Sequence, residues 1–380
     1  MYSPQAFRDN YFSGLHGLVH LASCSISPRS QFLDAAMETM LGDMAKNELA
    51  WVYFEQQTEQ ARRLFAEFID ADASQIAILP NATIAAYQVI STLVANSGEQ
   101  ILCTEDEFPS LSHVWLQQAS RGLVTRCIES QVSDESFVTI TRAMLGSNTC
   151  LVSVPLASFR TGRRYPVKLI TELANQSQVP ILVDAYQGLG AEKINVSELN
   201  CDYLICGSMK YMLGLPGIAF LYVKDGICNT VALGLTGWQG RKEPFAFNPS
   251  LVDFPDCAKR FETGTPAVPA LYAASSALTA LLTLDFEQGR LHIQTLVELA
   301  IDILEKGDVT IVKVPGTLFS AHIAFLVPNV PALDRYLKQH KIITSPRGEM
   351  LRLAFHHFNT ADEVVQTCRL ICAYFKTQIW

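Results

Sequence analysis

Residues 201 to 223 read CDYLICGSMKYMLGLPGIAFLYV. Two apolar β-like runs, DYLIC and GIAFLYV, flank a loop rich in Gly and Met. The one cation of that loop, Lys210, has no acidic residue within seven positions on either side. Both runs are apolar throughout rather than alternating, the pattern of strands buried on both faces of a sheet. A lysine in this setting has two readings. It is a surface side chain, with its stem over apolar neighbours and its ammonium in water. Or it is a desolvated amine with a lowered pKa, a Schiff-base nucleophile for a carbonyl. The loop by itself leaves both open.

Upstream, from residue 75, more such runs alternate with helical patterns. QIAIL (75–79) precedes a helix expected over about 82–95, and EQILCTE (99–105) precedes one near 110–120. LVTRCIE (123–129) leads to a helix near 134–145. TCLVSVPLA (149–157) leads to PVKLITELANQ (166–176), with Pro166 suited to the first helical position. PILVDAY (180–186) completes the set, and the whole predicts a largely parallel α/β sheet. After residue 260 the pattern changes. A long helical segment over about 267–305 leads to shorter strand candidates, VTIVKV (309–314), AHIAFLV (321–327) and MLRLAF (350–355), with helical patterns between them and at the end. The expectation is a large α/β domain over 20–260 and a smaller α+β domain over 261–380, with residues 1–19 packing on the latter.

Composition narrows the function. The 380 residues, 49% hydrophobic, suffice for one large core and a second domain. Net charge is −8 with no basic block, so nucleic acid is not an expected partner. The ten cysteines are scattered without C-x-x-C spacing or a His cluster. That predicts no metal site, no disulfide framework and a reducing, cytoplasmic setting. The N-terminus, MYSPQAFRDNYF, lacks the apolar core of a signal peptide. The longest uncharged run, AVPALYAASSALTALLTL (267–284), is marginal in length for a membrane span. It holds a Pro, two Ser and two Thr, so it reads as a buried helix and no membrane partner is expected.

Open parallel sheets bind ligands outside the carboxyl ends of their strands. Several chemistry-bearing residues fall at such ends. Asp184 ends PILVD, Lys210 follows DYLIC, Phe108 follows EQILCTE, and Asn81, Ala82 and Thr83 follow QIAILP and open a helix. Ala82 and Thr83 offer free backbone N–H groups to a phosphate, or form an ordinary helix cap. A Walker loop is excluded because its glycines and lysine are missing. YQGLGAEK fails as a dinucleotide fingerprint, since Lys193 holds the third glycine position. Asp184 either caps a turn or faces a cation such as a protonated ring nitrogen, because a bare buried carboxylate is costly. A phosphate cradle, a stacking aromatic, an acid for a pyridinium nitrogen and a lysine for an aldehyde together describe the binding of pyridoxal 5'-phosphate (PLP).

The chain resembles the class V aminotransferase family of PLP enzymes, of fold type I. The likeness is to the branch with cysteine desulfurases, kynureninases and isopenicillin N epimerase-like proteins, and it covers about residues 20 to 375. PNAT, Pro80 to Thr83, is similar to the family's phosphate-binding helix start. Glu107 to Ser110 match its Glu-Phe/Tyr-Pro-Ser segment, which implies that Phe108 stacks on the cofactor. Asp184 and Gln187 match Asp-x-x-His/Gln, implying contacts to the ring nitrogen and the ring hydroxyl. Lys210 matches the cofactor lysine. Trp238 in TGWQG and Gly264 and Thr265 in RFETGT match further cofactor segments, the latter reaching the phosphate of a neighbouring subunit. LRLAFHHFNT resembles R-x-S-x-x-x-Y-N, so Arg352 is expected to grip the substrate carboxylate. The resemblance thus implies a homodimer with shared active sites acting on an amino acid.

This chain also departs from the desulfurases. Met209 stands where they have His. Gly207 stands where they have Ser or Thr, with Ser208 one place later as a substitute phosphate contact. HKIITSPRGEMLR, leading to Arg352, lacks their nucleophilic Cys. The expected function is a lyase that cleaves the substrate side chain, C–S lyase or kynureninase-like, with Lys210 and Asp184 catalytic. Transamination is the alternative, and desulfuration ranks third. A non-catalytic ligand-binding module is disfavoured because Lys210, Asp184, Gln187 and Arg352 occur together, although fold alone never establishes function.

Overall fold

The computed structural model describes residues 3–15, 17–94, 96–228 and 232–377. The chain opens with α1 (Pro4–Tyr11), β1 (Val19–His20), α2 (Gln31–Met44) and α3 (Trp51–Ile69). The alternating region follows as β2 (Ile76–Leu79), α4 (Ala82–Thr92), β3 (Gln100–Thr104), α5 (Pro109–Gln117), β4 (Val124–Ile128) and α6 (Asp134–Met144). It continues as β5 (Thr149–Pro155), β6 (Arg163–Arg164), α7 (Val167–Gln176), β7 (Ile181–Asp184), α8 (Val196–Leu199), β8 (Tyr203–Gly207) and β9 (Ala219–Val223). Then come α9 (Val268–Leu282), α10 (Phe286–Lys306), β10 (Leu318–Phe319), β11 (His322–Leu326) and α11 (Val330–Gln339). The chain closes with β12 (Ile342–Ile343), β13 (Ser345–Arg347), β14 (Met350–Ala354) and α12 (Ala361–Thr377).

Seven strands form the central sheet in the order β2-β9-β8-β7-β5-β3-β4. All run parallel except β9, which is antiparallel to both β2 and β8. The apolar runs are buried on both faces, as their lack of alternation predicts. Leu204 and Val183 join one core cluster with residues of α3, α7 and α9. Their strand neighbours Ile205 and Leu182 join another, on the opposite face, with residues of α4 and α5. A third cluster unites α10, β11, α11, β14 and α12.

Some expectations need correction. VTIVKV makes only an isolated bridge, Ile311 to Phe325, with backbone bonds at Thr310 and Val312 on either side of it. The long helical segment is broken at 283–285, where Asp285 caps α10. Pro166 is the N-cap of α7 rather than its first helical residue. The helix after QIAIL ends at Thr92, and residue 95, its expected end, lies outside the described residues. α9 is buried along most of its length, and among the described residues no helix is long and apolar enough to cross a membrane. The N-terminal segment reaches both units. β1 pairs with β12 and Arg8 meets Glu363 at 2.7 Å, while Phe7 and Phe12 enter the large core.

Candidate active site

The carboxyl ends of β2, β3, β5, β7 and β8 open into one cavity of about 230 Å³. Lys210 stands at its floor, just beyond β8, with only 7% of its surface exposed. Its Nζ lies 4.2 Å from the centroid of the Tyr186 ring and 5.1 Å from that of Phe108. Among the described residues no carboxylate forms an ion pair with it. Burial lowers the amine to about 8, against the upward pull of Asp184. The apolar β8 places it there: Gly207 ends the strand, and a Cβ at that position would come within 2.1 Å of the Tyr186 ring.

Asp184 closes β7, in register with Ile205 of β8. Its Oδ1 accepts from the Tyr186 N–H at 2.9 Å, and burial pushes its carboxyl up. Gln187 donates to the Cys24 carbonyl at 3.1 Å and leaves Oε1 without a partner. At the other end of the cavity Asn81 caps α4 by accepting from the Ile84 N–H at 3.0 Å. The N–H groups of Ala82 and Thr83 stay free of intrahelical bonds and line the cavity. Behind this wall sits Glu107. It accepts from Ser153 Oγ at 3.0 Å, its second oxygen has no partner, and burial, then Asp184, holds it up at about 8.

The fold therefore brings Ala82, Thr83, Phe108, Asp184, Gln187 and Lys210 together. It does not bring the other expected residues to this cavity. Ser208 is buried and its hydroxyl donates to the Leu215 carbonyl at 2.5 Å. Trp238 packs against Trp51, Phe245 and Phe247 and lines a separate surface cavity. Gly264 and Thr265 are exposed and line neither. Arg352 is fully buried behind the cavity. It donates to the Phe159 carbonyl and to the Ser345 carbonyl (3.4 Å) and hydroxyl (2.6 Å), and among the described residues it has no carboxylate partner.

Sequence reasoning missed Arg347, which lines the cavity beside Phe159 and Ser25. Its signal was the Ser-Pro-Arg-Gly turn, since β13 pairs with β14 and puts Arg347 opposite Met350 on the same hairpin as Arg352. Tyr186 was also missed, although it follows Asp184 by two. The residues present fit PLP. A desolvated amine without an ion-pair partner, a buried carboxylate, an orphaned amide oxygen and free helix N–H groups share one cavity, and each is a group the cofactor would satisfy.

A family model described as aminotransferase class-V matches residues 45–370. A Bacillus subtilis (strain 168) protein named uncharacterized aminotransferase YcbU is 30% identical over 362 residues, covering 95% of each chain. A kynureninase of Deinococcus radiodurans is 26% identical over 215 residues, 56% of this chain and 51% of that protein. Among solved structures, an apo cysteine desulfurase from Thermococcus onnurineus NA1 superposes with TM-score 0.87 at 20% identity, covering 99% of each chain. A C-DES mutant with glycine covalently linked to its PLP cofactor superposes with TM-score 0.86 at 22% identity, covering 96% of this chain and 98% of that one.

Proposed function

The chain belongs to the class V aminotransferase family of PLP-dependent enzymes, and on that footing we propose that it is a lyase cleaving the side chain of an amino acid. The observation that carries amino-acid chemistry is Lys210, a buried amine held near 8 between two rings with no ion-pair partner among the described residues. Bound PLP supplies an aldehyde carbon and an electron-accepting ring. Every other role falls to the chain. Ala82 and Thr83 would hold the phosphate with backbone N–H groups. Phe108 would offer its ring to the cofactor's. Asp184 would face the ring nitrogen, whose positive charge would relieve the cost of burying the carboxylate. Gln187 would meet the ring hydroxyl. Lys210 Nζ would hold the cofactor and serve as the base that carries the proton at the substrate Cα. Arg347 at the cavity wall would receive the substrate carboxylate, and Arg352, buried on the same hairpin with its fork held by Ser345 and the Phe159 carbonyl, would add positive charge to that corner.

Side-chain cleavage is preferred over desulfuration because, among the described residues, no cysteine lines the cavity. Cys24, whose carbonyl accepts from Gln187, is fully buried outside that lining. Transamination is the second reading, favoured by the aminotransferase name of the 30% identical relative. Trp238, Gly264 and Thr265 belong in this proposal to a neighbouring subunit's site. The exposed Phe247, Leu251 and Val252 beside Trp238 support a homodimer through that face. A reducing cytoplasm suits ten free thiols.

The test is the visible spectrum of the purified protein before and after borohydride, compared with Lys210→Ala, followed by an amino-acid panel. A lyase releases the side-chain fragment without an added acceptor, together with a keto acid and ammonia after β-elimination or with alanine after a kynureninase-like cleavage. Product that appears only with an added keto acid identifies a transaminase. A wild-type protein that takes up no PLP overturns the proposal.

A further inference from the structure

We propose that Cys103 and Cys127 form a redox modification site, a dithiol that closes to an intramolecular disulfide when a hydroperoxide reaches it. The two residues lie directly opposite each other on the neighbouring parallel strands β3 and β4. Their Sγ atoms are 3.6 Å apart, and among the described residues no other pair of cysteine sulfurs is in such contact. Adjacent strands lie about 4.8 Å apart, inside the roughly 4.4–6.8 Å Cα spacing that a disulfide spans. Closure needs the sulfurs to approach by about 1.5 Å, to the bond length of about 2.05 Å. β4 is the edge strand, held by β3 alone, so it has room to give.

The pair is asymmetric in the way a peroxide-reactive dithiol requires. Cys127 is exposed, whereas Cys103 is buried among Leu79, Leu111 and Trp115. The contact between the two sulfurs draws Cys127 down to about 7, while the same contact and burial push Cys103 up. The attacking sulfur is thus the accessible one with thiolate character, and the resolving thiol is sheltered. In the first step the Cys127 thiolate attacks one peroxide oxygen and the O–O bond breaks. Cys127 sulfenic acid forms, and hydroxide leaves and is protonated to water. In the second step the Cys103 sulfur attacks the sulfenic sulfur, the S–O bond breaks, and a second water leaves with the Cys103 proton. The two thiols lose two electrons together and the peroxide is reduced to two waters. β3 continues into Asp106 and Phe108, so the new bond anchors the root of one cavity wall.

The experiment treats full-length protein with a few equivalents of hydrogen peroxide and maps peptides without reduction. The expected result is a Cys103–Cys127 linked peptide, the loss of two thiols and of two hydrogens in mass, and full reversal by dithiothreitol. Cys103→Ser should instead leave Cys127 as a dimedone-trappable sulfenic acid. Cys127→Ser, a change at an exposed position, should leave Cys103 reduced. Wild-type protein in which Cys127 is trapped or over-oxidised without the link, or in which other cysteines oxidise first, would overturn the proposal. None of these readouts depends on the activity of the enzyme.

Discussion

Replacing Lys210 by Met should stabilise the cofactor-free protein while abolishing its chemistry. Burial lowers the Lys210 amine from 10.5 to about 8. Holding that amine protonated inside the fold at about pH 7 therefore costs on the order of 3 kcal/mol. Its contacts with the Tyr186 and Phe108 rings return about 1 kcal/mol. Methionine fills nearly the same space without a charge, so the expected net gain is about 2 kcal/mol. The sign changes with pH in a defined way. Below about pH 8 the folded and unfolded chains both hold the proton, and the wild-type penalty is complete. Between about 8 and 10.5 the unfolded chain holds more protons, so wild-type stability rises with pH. The advantage of Lys210→Met should therefore shrink across that window. Urea denaturation of both cofactor-free proteins, at about pH 7 and about pH 9.5, measures it. Buried tyrosines and thiols that titrate in the same range are common to both proteins and cancel in the difference. A variant that is less stable at about pH 7, or an advantage that does not change with pH, would refute the desolvated lysine.

Other consequences are equally direct. Burial holds His20 and His357 down at about 4 and His322 and His356 well below their ordinary value. Their stabilisation is complete above about pH 6.5 and is lost as pH falls, by about 1.4 kcal/mol per pH unit for each imidazole. His357→Gln keeps a donor for the Gly190 carbonyl and should flatten the slope of melting temperature against pH. Glu107, held up at about 8, is mostly protonated at neutral pH. Glu107→Gln should leave kcat/KM nearly unchanged, whereas Asp184→Asn should cost on the order of 10²-fold, both read on the substrate the panel identifies. Gly207→Ala sets a methyl group against the Tyr186 ring. A cost of about 1–3 kcal/mol in stability should accompany a shifted visible band of the bound cofactor.

The central strands were legible because a run buried on both faces carries its signal in composition, residue by residue. Strand order was not, because it depends on which distant runs exchange hydrogen bonds. The antiparallel β9 could have been anticipated. Only residues 208–218 separate it from β8, too few for the crossover that a parallel connection requires. VTIVKV misled because its residues are β-formers, yet they make one bridge to β11, at Ile311, rather than a ladder. The site divides in the same manner. Ala82, Thr83, Phe108, Asp184 and Lys210 follow from the strand-end rule, and Gln187 lies three residues beyond such an end. Trp238, Gly264 and Thr265 came from resemblance alone, and their surroundings within one chain do not include the cavity. Arg347 became visible only once the β13–β14 register was known.

The charges left without partners supply the physical argument for what the cavity takes. Lys210, Arg347 and Arg352 cluster at one end closely enough to disfavour one another's charge, Arg352 pressing both the Lys210 amine and the Arg347 guanidinium down. The nearby acids do not compensate. Burial pushes Asp184 and Glu107 up, toward their neutral forms. A fold that buries cations without matching acids pays in stability unless an anion arrives from outside. Two kinds of anion suit the two ends. A phosphate would suit the α4 N-terminus, where N–H groups are free and, among the described residues, no side-chain cation pairs with the helix start. A carboxylate would suit Arg347, the guanidinium that lines the cavity. The groups that share the cavity are thus those that a cofactor joined to an amino acid would call on. Cleavage and transfer both begin with the same loss of a proton at the substrate Cα, so the product panel separates them.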